Sequence, residues 1–302
     1  MSKRDFLSIT HISIGELRTI LDLAVRPPSS LGRPLDGLGA ALIFEKPSNR
    51  TRQSMEIAVT QLGGHPVYTR GEEIQFDVRE PVEDVARTLA GYHGVICARV
   101  FRHAVVERLA AASSVPVVNM LSDTSHPMQA LADVLTMEQV HGSLAGAVIA
   151  WVGDFNNVAR SLGEVSVMLG AHIRYASPAG YGPSDAELAR LGALGPGTAA
   201  SVSAPLDAVS GAIAVHTDTW TSMGQESEKA ARLEAFRGYS VTSDLMSHAD
   251  PSAGFYHCMP AYRGVEVDAA VMDGPMSRAI QQGHNRLHSS RALLAFLMGV
   301  RA

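Results

Sequence analysis

The sequence predicts an α/β protein built from two doubly wound parallel-sheet domains, for three reasons. The chain has 302 residues, about twice the length of a typical domain. Short apolar runs alternate with segments of helical periodicity along most of it, which is typical of β-α-β units. A small, polar stretch at 141–146 separates two such series. We therefore predict one domain at 1–140, a second at 147–282, and a C-terminal helix at 283–302.

The elements of the first half follow from periodicity and from turn residues. Ser13 and Glu16 form a predicted capping box that opens a helix ending near residue 25. Residues 40–44 are an apolar strand, and the helix after it stops at Gly63. Pro81 starts another helix, because proline is favoured in a first helical turn. Further strands are predicted at 67–68, 95–98 and 115–118, with helices at 104–112 and from 127 onward.

The second half repeats the same alternation. Apolar runs predict strands at 147–152, 172–175, 200–202, 212–215 and 255–258, with helices between them. The last segment, at 285–300, has the periodicity of an amphipathic helix. The whole chain is thus assigned to parallel-sheet units.

Composition excludes several classes of protein. Apolar residues make up 46% and charged residues 18%, which fits neither a disordered chain nor a membrane protein. The formal net charge of −5 argues against a nucleic-acid or polybasic membrane-binding surface. Cys97 and Cys258 are the only cysteines, too few for a disulfide framework or a multi-thiolate metal site. With scattered histidines as well, we expect a cytoplasmic protein that uses no metal and no cofactor.

The turn at 44–52, with the sequence FEKPSNRTR, places three cations and two hydroxyls between a strand and a helix. Free backbone N–H groups and the helix dipole make such a turn suitable for an anion. Arg50 and Arg52 add forked donors that match phosphate or carboxylate. The ordinary alternative is a solvated basic cap with surface ion pairs.

Four more polar turns follow predicted strands. They are Arg99, the segment 126–129, the segment 153–157, and the segment 257–260, with 218–224 preceding the last in the chain. Ligands of open α/β sheets bind outside the carboxyl ends of strands. Each turn alone has an ordinary explanation as an ion pair, a helix cap, a turn former or a buried thiol. Their recurrence indicates a functional site.

The residue types in these turns suggest acyl transfer from an acyl phosphate. A phosphate cradle with Arg99, His126 and Gln129 supplies donors to a carbonyl oxygen whose charge grows in a tetrahedral intermediate. In the second domain, Asn157, Asp218 and Ser222 suit the charged ends of an amino acid. We expect the active site in a cleft between the domains, because the two reactants must meet.

Four motifs make the sequence recognisable. FEKPSNRTR, HPMQALAD at 126–133, DTWTSMG at 218–224 and HCMPAYRGVEV at 257–267 resemble, in order and spacing, the signatures of the ornithine carbamoyltransferase family. Aspartate carbamoyltransferases normally have proline where Cys258 stands and lack the DTWTSMG motif. The resemblance runs from about residue 6 to the last helix.

The resemblance implies a homotrimer with active sites at subunit interfaces. The first domain would bind carbamoyl phosphate, the second would bind ornithine, and the C-terminal helix would return to the first domain. The phosphate would be held by Ser48, Asn49, Arg50, Thr51 and a neighbouring subunit's Gln75.

The remaining site residues surround the reacting groups. Arg99, His126 and Gln129 would bind the carbamoyl group, while Cys258, the Met259 carbonyl and Arg286 would complete the pocket near the amine. Asn157, Asp218, Ser222 and Met223 would bind the α-carboxylate and α-amino end of ornithine. The predicted catalytic residues are Arg50, Arg99, His126, Cys258 and Arg286.

The charges of the reactants predict the mechanism. An amine with a lysine-like pKa of about 10 attacks only in its neutral form. The resemblance suggests that the departing phosphate accepts its proton, so Cys258 is interpreted as a positioning contact. Asp77 stands where the family usually has glycine, and a carboxylate there is expected to oppose phosphate binding.

Three alternatives differ from this interpretation. A paralogue could carbamoylate another amine, such as lysine, putrescine or an N-acylated ornithine, and the intact DTWTSMG motif disfavours the last two. A nicotinamide-dependent oxidoreductase would account for the turn at 153–157, which lacks the full G-x-G-x-x-G pattern. A non-catalytic protein of the same fold would be expected to have lost Arg99, His126 or Cys258.

Overall fold

The computed structural model describes residues 3–221 and 224–301 and confirms the predicted α/β class. The chain divides into two compact units, Met1–Ala132 with His284–Ala302, and Asp133–Gly283. Each unit contains a fully parallel sheet and its own apolar core. No helix among the described residues is both long and apolar enough to cross a membrane.

The first unit alternates strands and helices from its first residues onward. In chain order it contains α1 (Ile14–Ala24), β1 (Gly39–Phe44), α2 (Asn49–Gln61), β2 (His65–Arg70), α3 (Gly71–Ile74), α4 (Val82–Ala90), β3 (His93–Arg99), α5 (His103–Ala112) and β4 (Val117–Leu121). Short 3₁₀ helices lie at Ile9–His11 and Pro28–Leu31. The predicted capping box of α1 is present: Ser13 accepts from the Glu16 N–H, and Glu16 accepts from the Ser13 N–H.

The second unit follows after α6 (Pro127–His141), which begins in the first unit and ends in the second. It contains β5 (Val148–Val152), α7 (Asn157–Met168), β6 (His172–Ala176), α8 (Asp185–Gly192), β7 (Thr198–Val202), α9 (Pro205–Val209), β8 (Ala214–Thr217), α10 (Lys229–Ala235), α11 (Ser243–Ser247), β9 (Gly254–His257) and α12 (Ala269–Met272). A 3₁₀ helix lies at Glu226–Glu228. The last helix, α13 (Ala279–Leu297), begins in the second unit and ends in the first.

In each sheet, the order in which the strands are added changes direction at one point. In such folds, ligands bind outside the carboxyl ends of the strands beside that point. The order is β2-β1-β3-β4 in the first unit and β7-β6-β5-β8-β9 in the second. The order therefore reverses between β1 and β3, and again between β5 and β8. The turns at 44–52, 153–157 and 218–224 follow β1, β5 and β8, and Arg99 ends β3, whereas the turns at 126–129 and 257–260 follow β4 and β9.

Two boundaries differ from the prediction. The helix α13 begins at Ala279 instead of near residue 285, because its first turns bury polar Gln282, which an apolar period does not mark. The segment between the predicted strand at 67–68 and the helix that Pro81 starts, for which the sequence predicts no element, contains the end of β2 and the one-turn helix α3. Its few apolar residues gave no helical period.

Candidate active site

The turn between β1 and α2 is arranged as an anion site. Ser48 caps α2: its Oγ accepts from the Thr51 N–H at 3.4 Å and donates to Thr51 Oγ1 at 3.0 Å. The first turn of α2 contains no acidic residue. The N–H groups and the dipole at this helix end therefore face no negative side chain of their own turn.

The two arginines of this turn have different surroundings. Arg52 Nε donates to Glu56 at 2.8 Å, and its guanidinium lies 3.8 Å from the centre of the Tyr68 ring. The half-buried side chain of Arg50 has no hydrogen bond or ion pair within residues 3–221 and 224–301. Arg50 is therefore the candidate ligand-binding arginine of this turn, whereas Arg52 is already engaged.

A buried group of polar side chains from β3, α2, α6 and α13 lies in the first unit. Phe44 of β1 is in register with Arg99 of β3, so Arg99 lies beside the anion site. Arg286 of α13 donates to Gln129 Oε1 at 2.5 Å and to Thr51 Oγ1 at 3.1 Å. All of these side chains are buried. The first unit thus collects Thr51, Arg99, Gln129 and Arg286, and together with His126 they form what we call the donor half-site.

His126 is the buried histidine directly before α6. Burial, followed by the charges of Arg286 and Arg99, lowers its pKa well below the ordinary value. A neutral imidazole between two guanidinium groups can act as a hydrogen-bonding group without adding a third positive charge. This environment suits an oxygen that gains negative charge during a reaction.

Gln75 lies outside this buried group. It caps the C-terminus of α3, is exposed, and has a positive φ of 51°. Asp77, two residues later, also has a positive φ, of 59°. From the sequence, the Asp77 carboxylate is expected to oppose phosphate binding. In the structure it accepts hydrogen bonds from Arg108 at 2.6 and 2.9 Å.

In the second unit, Asp218 follows β8 and is held from two sides. Its Oδ2 accepts from Asn156 Nδ2 at 2.9 Å, and its Oδ1 accepts from the Cys258 thiol at 3.2 Å. Asn157 is the first residue of α7. Asn156, Asn157, Asp218, Cys258 and Met259 form what we call the acceptor half-site. The predicted site residues Ser222 and Met223 lie outside the described residues.

The turn that carries Cys258 is fixed by a buried pair. His257 Nδ1 accepts from the Met259 N–H at 2.8 Å, so the proton lies on Nε2, which donates to Glu266 at 3.2 Å. Both side chains are fully buried. Met259 has a positive φ of 57°, and the peptide bond before Pro260 is cis. The pair therefore orients the backbone on which Cys258 and the Met259 carbonyl are presented.

A second pair of polar side chains supports the same strand end. The His257 N–H donates to Gln282 Oε1 at 3.0 Å, and Gln282 Nε2 donates to Asp133 Oδ1 at 2.6 Å. This connects α6, β9 and α13 within the second unit. Sequence reasoning missed Gln282, and it assigned no role to Asp133, Asn156 and Glu266 although they lie within the segments that it singled out, because nothing in their spacing indicates these contacts.

Two residues of the acceptor half-site, Asp218 and Cys258, form a potential metal-binding set with His257. Ligand atoms of Asp218, His257 and Cys258 all lie within 4.8 Å of one another, the one such group found in the described residues. The two His257 nitrogens already bond to Met259 and Glu266. A metal ion would have to displace one of these bonds, so the present hydrogen-bonding pattern does not fit a metal.

Asn156 offers a test of the acceptor half-site that needs no ligand. Its Oδ1 caps α7 by accepting from the Val158 and Ala159 N–H groups, while its amide holds Asp218. We expect Asn156→Ala to lower the free energy of unfolding by about 2 kcal/mol, from a lost cap and a lost buried hydrogen bond. Chemical denaturation measures this loss.

Ser184→Ala is the matched control, because Ser184 caps α8 of the same unit by accepting from the Glu187 N–H alone. It should cost about 1 kcal/mol. Equal losses in the two variants would contradict a structural role for the bond between Asn156 and Asp218.

Comparison with known proteins identifies the family. A family model described as aspartate/ornithine carbamoyltransferase, carbamoyl-P binding domain, matches residues 4–139. A second, described as the Asp/Orn binding domain of the same enzymes, matches residues 145–297. The chain belongs to the aspartate/ornithine carbamoyltransferase family.

Individual relatives are similar over nearly their whole length. An ornithine carbamoyltransferase of Thermus thermophilus is 46% identical over 297 residues, covering 98% of this chain and 97% of the relative. An anabolic ornithine carbamoyltransferase of Pyrococcus furiosus is 41% identical over 307 residues, covering 99% and 98%. A solved ornithine carbamoyltransferase structure from Pyrococcus furiosus has a TM-score of 0.93 at 40% identity, covering 99% of each chain.

Proposed function

We propose that this protein transfers the carbamoyl group of carbamoyl phosphate to the δ-amino group of L-ornithine, giving L-citrulline and phosphate. The observation that carries the proposal is the buried carboxylate of Asp218, held by Asn156 and Cys258. A fixed carboxylate beside a helix N-terminus matches the α-ammonium and α-carboxylate of an amino acid. Near full-length similarity to ornithine carbamoyltransferases supports the same substrate.

The donor half-site and the neighbouring turn at 48–51 are assigned to carbamoyl phosphate. Ser48, Asn49, Arg50 and Thr51 bind the phosphate through the helix end and the Arg50 guanidinium. Arg99 and His126 polarise the carbamoyl oxygen, and Gln129 and Arg286 complete the pocket. The exposed Gln75 reaches the phosphate of a neighbouring subunit in a homotrimer. Size-exclusion chromatography with light scattering tests this assembly.

The acceptor half-site is assigned to ornithine. Asn157, Asp218, Ser222 and Met223 bind its α-carboxylate and α-amino end. Cys258 and the Met259 carbonyl position the δ-amine near the carbamoyl carbon. Residues 1–140 and 147–282 are the corresponding substrate-binding domains, in a cytoplasmic enzyme that serves arginine biosynthesis.

The reaction is a nucleophilic substitution at the carbamoyl carbon. The neutral δ-amine forms the new C–N bond, and the carbonyl oxygen gains negative charge that Arg99 and His126 stabilise. The C–O bond to phosphate then breaks, and the leaving phosphate takes the proton lost by the amine. The chain therefore needs to orient the reactants and stabilise charge, and no protein base is required.

This mechanism predicts the pH dependence. Only about one in 10³ amines of pKa about 10 is neutral at pH 7, so kcat/KM for ornithine should rise about tenfold per pH unit from pH 6 to pH 8. Burial lowers the pKa of His126, so its imidazole stays neutral from pH 6 to pH 8 and its titration adds no second inflection to the pH profile. Initial rates at constant ionic strength measure the slope, and a flat profile would contradict attack by the free amine.

A panel of amines with phosphate release as the readout tests the substrate assignment. We expect ornithine to give the highest kcat/KM, with lysine, putrescine and N-acetylornithine at least 10²-fold lower. The last two lack a free α-amino acid end. Faster release with any of them would replace ornithine as the acceptor while leaving the carbamoyltransferase family unchanged.

A further inference from the structure

We propose that Arg108 is a positioning residue for carbamoyl phosphate, because it holds the loop 75–81 in the shape that presents Gln75 and pairs the carboxylate of Asp77. The inference rests on the proposed function, since it assigns Gln75 to the phosphate. Arg108 lies on α5, more than twenty residues from both carboxylates that its guanidinium binds.

One guanidinium binds two carboxylates at once. Arg108 Nη1 and Nη2 donate to Asp77 at 2.6 and 2.9 Å, and Nε and Nη2 donate to Glu83 at 2.6 and 2.7 Å. Arg102 is a more distant cation, with its Nη2 3.9 Å from Asp77. The loop is thereby tied to α4 and α5 together.

The backbone conformation of the loop explains why the ion pairs with Arg108 are needed to hold it. Gln75 and Asp77 both have positive φ, which costs a residue with a side chain about 1 kcal/mol. Between them, Phe76 is buried in the first unit's core. The Val78 and Arg79 N–H groups both donate to the Gln75 carbonyl at 2.9 Å. Phe76 anchors the loop from inside, and Arg108 holds Asp77 from outside.

Arg108 also neutralises the negative charge of two carboxylates at the loop. Hydrogen bonding to Arg108 lowers the pKa of Asp77 and of Glu83, so both are carboxylates at neutral pH and both are paired. Without Arg108, Glu83 would lose its ion pair and Asp77 would keep only the more distant Arg102, so this loop would carry net negative charge that repels a phosphate dianion.

Exposed ion pairs usually contribute little, and these side chains are about one-third exposed. The contact with Arg108 differs from such pairs because each carboxylate is bound by two donors of the same planar group. These paired hydrogen bonds limit the loop to one conformation. Removing Arg108 should therefore change ligand binding rather than overall stability.

The test compares Arg108→Ala, the double variant Asp77→Gly/Arg108→Ala, and Arg87→Ala as the matched control. Arg87 pairs with Asp84 on α4 and serves no assigned role. We expect Arg108→Ala to raise KM for carbamoyl phosphate about tenfold at low ionic strength, with kcat and KM for ornithine within twofold of wild type. Salt should reduce the difference, since screening weakens the repulsion.

The double variant should recover KM only in part, to a value between those of Arg108→Ala and wild type, because the Asp77 charge is removed while Glu83 stays unpaired and the loop stays untied. Arg87→Ala should match wild type. An unchanged KM for carbamoyl phosphate in Arg108→Ala would overturn the proposal, and full recovery in the double variant would overturn the positioning role, because charge alone would then account for the effect.

Hydrogen exchange tests the loop separately from turnover. Arg108→Ala should accelerate exchange at the Val78 and Arg79 amides at least tenfold, and unchanged exchange would overturn the positioning role. If the wild-type protein does not use carbamoyl phosphate, the proposed function fails, and this exchange result still decides whether Arg108 holds the loop.

Discussion

Arg50→Ala is expected to lower kcat/KM for carbamoyl phosphate by about 10²–10³-fold, because one charged donor to the phosphate is lost. Arg50 stands in the first turn of α2, and its side chain has no hydrogen bond or ion pair to another described residue. Its removal therefore leaves no protein group unpaired. Thermal unfolding should change little while steady-state rates fall.

Arg52→Ala is the matched control for this prediction. Arg52 occupies the same helical turn but is engaged by Glu56 and the Tyr68 ring. We expect its removal to change kcat/KM by less than about tenfold. Equal losses in the two variants would contradict the specific role of Arg50 and would indicate only a general effect of positive charge.

Asp218→Asn is expected to raise KM for ornithine about 10²-fold. The substitution keeps the shape of the side chain but removes the charge that faces the α-ammonium, and a lost charge pair in a buried site costs several kcal/mol. The amide oxygen can still accept from Asn156, so the unit should remain folded. Steady-state kinetics in ornithine at saturating carbamoyl phosphate measure the effect.

Asp250→Asn is the matched control for charge in the second unit. Asp250 bonds to Ser252 on the surface and has no assigned role in binding. Its KM for ornithine should equal that of the wild type. If Asp218→Asn also left KM for ornithine unchanged, the acceptor half-site would have to lie elsewhere.

The alternation of apolar strands and helices in the sequence was sufficient to predict the fold class. Capping by Ser13 and Glu16 was visible because both partners lie within one turn. The start of α13 was not visible, because the buried positions of its first turns include polar Gln282. A hydropathy period cannot identify a polar residue that is buried because it has partners.

The candidate site likewise combines residues that the sequence predicted with contacts that it did not. Arg99, His126 and Asp218 were predicted because each lies at or near the carboxyl end of a parallel strand, where ligands bind. The bond between Asn156 and Asp218 joins residues 62 positions apart, and the one between Gln282 and Asp133 joins residues 149 apart. Partners at such separations depend on the folded chain, so local sequence patterns cannot reveal them.

Asp77 shows how the structure changes an interpretation. In the sequence, its carboxylate was expected to oppose phosphate binding. In the structure, Arg108 pairs with it, and the two residues come from segments 31 positions apart. The predicted penalty is therefore expected only when Arg108 is removed.

The most direct test of the central claim is the fate of a labelled carbamoyl carbon. Wild-type protein is incubated with ¹³C-carbamoyl phosphate and L-ornithine, and the products are identified by NMR. We predict that the label appears in the ureido carbon of citrulline, with one phosphate released per citrulline. Absence of citrulline, with the label instead on a different amine or left in carbamoyl phosphate, would contradict the account.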